Sequence, residues 1–256
     1  MKYIFIDIDG VVLKDNKLNN ELLDVLKLKK VKYVFCTGRG YYRTLDVVKN
    51  YISMEDIIIV ENGSKILSSN GEIIASYPIT DEEVVKIRDI DYTDIEYALY
   101  VPNGTCDYIV YDKKDFSEKL KHSKLITKNF NIFLNELKNK GASQLTIKFK
   151  KSFNQELFDS YIKAAGLNCS KSEDYYSINH KHISKKSAIE NIILKYKIKK
   201  EEVIIIGNDY NDIEMFQLDV GYKIAVIDDN TPSDLIINAT NITSFDDIAS
   251  LLEEII

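Results

Sequence analysis

Residues 5–13 read FIDIDGVVL, in which two carboxylates, Asp7 and Asp9, interrupt an otherwise apolar run. Burying either one unpaired would cost several kcal/mol or force it to take up a proton. The stretch KYIFID (2–7) is a short, continuous run of β-forming residues, the pattern of a strand buried on both faces of a parallel sheet. Asp7 therefore falls at the carboxyl end of a strand. Outward from it, NNELLDVLKLKK (19–30) has Leu22, Leu23, Val25 and Leu26 at helical spacing behind a possible Asn19 or Asn20 cap. VKYVFCTGR (31–39) is a second buried strand ending in a polar loop, RTLDVVKNYI (43–52) a helix, and DIIIVENG (56–63) a third strand.

This alternation predicts a doubly wound, Rossmann-like α/β core with a parallel sheet, whose ligands bind outside the carboxyl ends of the strands. Two Asn-Gly turn signals, at 62–63 and 70–71, predict one or two hairpins after the third strand. From 81 to 182 the pattern changes. DEEVVKIRDI reads as a helix, EYALYVP and CDYIVYD as strands, and a polar helical stretch leads to the strand SQLTIKFK; the helix QELFDSYIKAAGL and the strand YYSINH follow. Their apolar and polar residues alternate more, as in an antiparallel sheet with one wet face. The α/β rhythm returns with KKSAIENIILKYKI (185–198), VIIIGND (203–209), IEMFQL, YKIAVID and FDDIASLLEEI. The expected organisation is a discontinuous core domain, 1–80 and 183–256, around an inserted α+β cap domain, 81–182.

Composition narrows the function. The 256 residues are 45% hydrophobic and 29% charged, enough for a sizeable core and too regular for low complexity. The 34 basic and 40 acidic residues give a net charge of −6 without blocks of one sign, which argues against nucleic acid or an anionic membrane as partner. No signal-peptide core or membrane span is apparent, so a cytoplasmic location is expected. Cys36, Cys106 and Cys169 are odd in number and widely spaced, which favours free thiols over a disulfide framework or a zinc site.

Four polar segments fall at one edge of the expected sheet: DIDG (7–10), TGR (37–39), SKK (184–186) and GNDYND (207–212). Each alone is weak, since acids at strand ends often cap helices. In this order, with VENGSKI, ISKKSAIENI and GNDYNDIEMF around them, they resemble the four motifs of the haloacid dehalogenase-like phosphohydrolase superfamily. Within it the chain is similar to the Cof-type branch of sugar and metabolite phosphatases with a type IIB cap, and the resemblance covers nearly the whole sequence.

The resemblance implies a fold and a set of roles. Asp7 would be the nucleophile that becomes an aspartyl phosphate, and Asp9 the acid that protonates the leaving alcohol and then deprotonates water. The charge of Asp7 is expected to raise the pKa of Asp9 toward that task. Gly10 would turn the chain and leave backbone N–H groups for phosphate oxygens. Thr37, Gly38, Lys185 and Asn211 would hold the phosphoryl group, Lys185 being preferred over Lys186 by register. A carboxylate approaching a phosphate dianion needs a cation, and oxygen ligands favour Mg²⁺. Its ligands would be Asp7, Asp9 through its carbonyl, and an acid of the fourth motif, where this chain carries Asn208; the Asn208 amide oxygen can bind the ion but brings no charge, which should weaken binding unless Asp209 or Asp212 turns inward. Arg39 and Arg43, two of only three arginines, either face substrate or pair with surface acids.

The expected activity is Mg²⁺-dependent hydrolysis of a small phosphomonoester, such as a sugar phosphate, with a cap that closes over it. A phosphomutase of the same superfamily predicts isomerisation without net phosphate release. A binding protein weakened at Asn208 predicts ligand binding without turnover. The substrate's identity and the oligomeric state are not legible in the sequence.

Overall fold

In the computed structural model, which describes residues 1–29, 31–53, 56–114, 122–172 and 174–256, the strand Tyr3–Ile6 lies in the interior of an eight-stranded sheet. The order of strands across that sheet is Asn241–Thr243, Tyr222–Val226, Val203–Gly207, Tyr3–Ile6, Lys32–Cys36, Ile57–Val60, Lys65–Ser68 and Ile73–Ser76. The first six are mutually parallel, with Tyr3 opposite both Val203 and Lys32. Ile4, Phe5 and Ile6 are fully buried, as are Ile204, Ile205 and Ile206 beside them. Each such side chain contributes about 1.5–3 kcal/mol by leaving water, which is why these runs carry no polar face. After Ile57–Val60 the chain reverses at Glu61–Gly63 and pairs antiparallel with Lys65–Ser68.

The helix Asn20–Leu28 is capped by Asn19, whose side chain accepts from the Leu22 N–H at 3.1 Å and donates to the Phe245 carbonyl at 2.6 Å. Its buried Leu22, Leu23, Val25 and Leu26 pack beside the helix Ile248–Ile255. Two C-terminal elements escaped the sequence reading: the helix Ser233–Asn238 and the strand Asn241–Thr243, both too short to show a period. Cys36 is buried, and Cys36, Cys106 and Cys169 form no disulfide among the described residues.

The chain divides into two compact units, Met1–Ile74 with Ser184–Ile256, and Ala75–Ile183. The second unit holds a six-stranded sheet in the order Ser123–Thr127, Tyr108–Asp112, Ile95–Val101, Gln144–Phe149, Tyr175–Asn179 and Asn168–Ser172. Tyr100, Ile109, Leu145, Ile147 and Ile178 on one face pack with Ile87, Phe133, Phe158 and Ile162 of the helices Asp81–Arg88, Phe130–Lys140 and Gln155–Ala165.

This sheet departs from the expected antiparallel one. Ser123–Thr127 pairs parallel to Tyr108–Asp112, and Ile95–Val101 is buried along its whole length. The polar strand Asn168–Ser172 was not anticipated, because its NCSKS sequence lacks an apolar alternation; ladder pairing to Tyr175–Asn179 holds it instead. Of the polar stretch read as helical, Phe130–Lys140 is a helix but Ser123–Thr127 is a strand, held by its pairing to Tyr108–Asp112, and 115–121 lie outside the described residues.

Candidate active site

The chain leaves the strand Tyr3–Ile6 with the Asp7 N–H still bonded to the Ile206 carbonyl at 3.0 Å, which extends the parallel ladder and fixes Asp7 at the sheet's carboxyl edge. Its carboxylate is buried. Asp7 Oδ1 accepts from Lys185 Nζ at 2.7 Å, and the same ammonium donates to Asp212 Oδ1 at 2.7 Å. Lys185 is the first residue of the helix Lys185–Tyr196, whose start is set by a capping box between Ser184 and Ser187. Lys185 is completely buried, whereas Lys186 is only half-buried, so the register preferred for the lysine is the one that meets the acids. Burial works against the Lys185 charge, but Asp212 and Asp7 outweigh it and hold the pKa above the ordinary lysine range. Burial also pushes Asp7 up to about 8, with Asp212 and Asp9 adding to the shift against the pull of Lys185.

Asp212 is saturated. Besides Lys185, it accepts from the Asn208 N–H at 2.9 Å and the Asp209 N–H at 3.2 Å through Oδ2. Asp209 instead caps the short turn that follows, its carboxylate accepting from the Tyr210 N–H at 2.7 Å.

Asp9 corrects an expectation. Its carboxylate is gripped by Arg39, with Nε on Oδ2 at 2.8 Å and Nη2 on Oδ1 at 2.5 Å. Burial pushes the Asp9 pKa up, but the Arg39 hydrogen bonds and charge, aided by Arg43, carry it below the usual aspartate value. The neighbouring Asp7 charge was expected to raise it; a bidentate guanidinium in direct contact is the stronger influence. Arg39, read from the sequence as facing substrate or pairing with surface acids, pairs instead with a residue of the site itself.

Thr37 follows the strand Lys32–Cys36 and is fully buried, its hydroxyl accepting from the Arg39 N–H at 3.1 Å. Its carbonyl accepts from the Asn62 N–H at 3.0 Å. Gly38 lies against two amides: a Cβ there would stand 3.0 Å from Asn62 Oδ1 and 3.4 Å from Asn211 Nδ2. Asn211 Nδ2 donates to Asn62 Oδ1 at 3.1 Å, joining the second and fourth polar segments through a residue read only as a turn. The signal was present, since Asn62 follows a strand that ends at the same sheet edge.

A family model described as haloacid dehalogenase-like hydrolase matches residues 4–255. The chain belongs to that family. This hydrolase is 25% identical over 236 residues to "Putative phosphatase YxeH" of Bacillus subtilis, covering 84% of each chain. It is 27% identical over 257 residues to an uncharacterized protein of Mycoplasma capricolum, covering 85% of this chain and 87% of the relative. Among solved structures it is similar in fold to the HAD subclass IIB sugar phosphatase BT4131, with a TM-score of 0.78 at 20% identity over 100% and 99% of the two chains. TM0651 of Thermotoga maritima gives 0.77 at 21%, over 99% and 97%.

Gly10 in this hydrolase brings a second correction. Its N–H is not left for an anion, because it donates to the Leu13 carbonyl at 2.8 Å as the chain turns back. What glycine supplies is a φ of 79° and room: a Cβ would stand 2.0 Å from Asn208 Nδ2. Asn208 Oδ1, packed beside this turn, is buried with no hydrogen-bond partner. A buried acceptor without a donor is costly unless something electropositive meets it. Among the described residues no three His, Cys, Asp or Glu side chains form a metal cluster. The Asn208 Oδ1, buried and unpartnered among the described residues, is an oxygen donor of the kind a hard cation accepts. No helix among the described residues is long and apolar enough to cross a membrane.

Proposed function

We propose that this hydrolase is a Mg²⁺-dependent, cytoplasmic phosphatase that releases phosphate from a small phosphomonoester through an aspartyl-phosphate intermediate. The observation that carries the reading is the buried Asp7 carboxylate, held at 2.7 Å by Lys185 at a helix N-terminus, where a phosphate dianion meets both the ammonium and the helix dipole. A sugar phosphate is the favoured substrate class, supported by the sugar phosphatase BT4131 among its fold relatives.

In the first step an Asp7 carboxylate oxygen bonds to phosphorus while the bond to the ester oxygen breaks, and Asp9, which must be protonated at this step against the preference the Arg39 fork imposes, gives its proton to the departing alkoxide. In the second, water attacks the aspartyl phosphate, Asp9 takes the water's proton, and the Asp7 carboxylate returns. The Arg39 fork favours the carboxylate form of Asp9, the form that serves the second step. Thr37, Gly38, Asn211 and Lys185 would hold the phosphoryl oxygens. Asp7, the Asp9 carbonyl and Asn208 would hold Mg²⁺, which when bound neutralises phosphate charge.

The test is phosphate release from p-nitrophenyl phosphate and a panel of sugar phosphates, with and without Mg²⁺, for the wild type and Asp7→Asn. Metal-dependent release that falls about ten-thousandfold or more in the variant is the expected result. Isomerisation without net release would move the assignment to a mutase, and binding without turnover to a non-catalytic protein.

A further inference from the structure

The turn Glu61-Asn62-Gly63 is more elaborate than a reversal of direction requires. Glu61 and Asn62 both sit at positive φ, 55° and 53°, a region that disfavours residues with a side chain. Such strain persists only where the surroundings over-determine it, and it gathers at functional sites. Here the surroundings are on the page. The Glu61 N–H donates to the Arg39 carbonyl at 2.9 Å and the Asn62 N–H to the Thr37 carbonyl at 3.0 Å, so the turn is stitched to both sides of Gly38. Glu61 is braced by Lys65 at 3.2 Å in a completely buried ion pair.

What this brace holds in place is the Asn62 side chain. Asn62 Oδ1 accepts one hydrogen of Asn211 Nδ2, and both amides lie at the face of Gly38. Among the described residues Asn211 Oδ1 is buried without a partner, so there this is the one hydrogen bond that orients the Asn211 amide. A turn residue alone would not need this contact. Glycine at 62 would accept the positive φ with less strain.

We propose that Asn62 is a positioning residue of the hydrolytic reaction, acting through Asn211. By fixing that amide it leaves the second Nδ2 hydrogen for an oxygen of the transferring phosphoryl group. The inference rests on the assignment of Asn211 to the phosphoryl group made above.

The experiment is a double-mutant cycle of Asn62→Gly and Asn211→Ala in the full chain, read as kcat/KM for p-nitrophenyl phosphate with Mg²⁺ and, separately, as Kd for inorganic phosphate. Asn62→Gly should lose roughly ten- to hundredfold in kcat/KM, the scale of one hydrogen bond to a charged group, while melting near the wild type. In the Asn211→Ala background the same change should cost almost nothing further. Wild-type activity in Asn62→Gly, or equal losses in both backgrounds, would overturn the proposal; damage to folding falls on both backgrounds alike and counts the same way. If the wild type turns over no substrate, the phosphatase reading fails by itself, and the cycle in phosphate affinity decides the Asn62 assignment. A wild type that neither turns over nor binds phosphate overturns both.

Discussion

Arg39 places Nε and Nη2 on the two carboxylate oxygens of Asp9, at 2.8 and 2.5 Å, bridging two strand ends that are neighbours in the sheet. The pair is planar and bidentate, so it fixes the orientation of Asp9 as well as its charge. Lysine keeps the charge and loses the fork. We expect Arg39→Lys to lower kcat for phosphate release about tenfold and Arg39→Ala to lower it further, on the scale of a mispositioned catalytic group. Wild-type kcat in Arg39→Lys would show that charge alone is what Asp9 needs.

Lys185 is the buried counter-charge of both Asp7 and Asp212. Removing one partner of a buried pair leaves the other charge uncompensated, at about 3–5 kcal/mol. Lys185→Met should therefore destabilise the chain by that order in urea unfolding and abolish turnover. Asp7→Asn, which removes a carboxylate pushed up to about 8 by burial, should recover part of the loss in the double variant. Simple additivity would show that Lys185 stabilises through packing alone.

Much of this arrangement was legible because the chemistry sits where the fold's periodic signal ends. Buried parallel strands such as Tyr3–Ile6 and Val203–Gly207 are unbroken apolar runs, and the polar residue that follows each, Asp7 and Asn208, is conspicuous against them. Asp7 and Thr37 stand at such positions, whereas Lys185, at a helix start, and Asp212, in a turn, are named from the family resemblance. The Asp9 direction could not be read, because it depends on a side chain thirty residues away, Arg39, whose pairing is a tertiary fact. Asn62 was hidden for a different reason. An Asn-Gly pair is a sufficient turn signal in itself, so nothing local demands that the side chain also reach Asn211. Short polar strands such as Asn168–Ser172 are held by their neighbours and carry no period of their own.

Asn208 tests how the metal site tolerates a neutral ligand. Its buried Oδ1 has no partner among the described residues, and aspartate is nearly isosteric with asparagine. Asn208→Asp should lower the Mg²⁺ concentration for half-maximal phosphate release by about tenfold, since ligand charge tunes the affinity of oxygen sites. Without divalent cation the same variant should melt lower than the wild type, because it adds a carboxylate to a site that already holds Asp7 and Asp9. An unchanged Mg²⁺ dependence would remove Asn208 from the ligand set.

Glu83 joins the two places where the chain enters and leaves the second unit. Its carboxylate accepts from the Thr80 N–H at 2.8 Å and hydroxyl at 2.9 Å and from the Lys181 N–H at 2.9 Å, and His180 Nδ1 lies 2.8 Å away. Burial works to raise its pKa, but the Thr80, His180 and Lys181 hydrogen bonds together carry it below the ordinary glutamate value of 4.5. A folded-state pKa below the unfolded one means that the carboxylate's contribution is complete above the unfolded value and is lost as pH falls through the folded one. Glu83→Gln should therefore melt below the wild type at neutral pH, and the gap should narrow once the buffer is taken below 4.5. Thermal melts of the two proteins across that range provide the measurement. A gap that stays constant into strong acid would mean that shape and neutral hydrogen bonding, rather than the charge of Glu83, hold these two segments together.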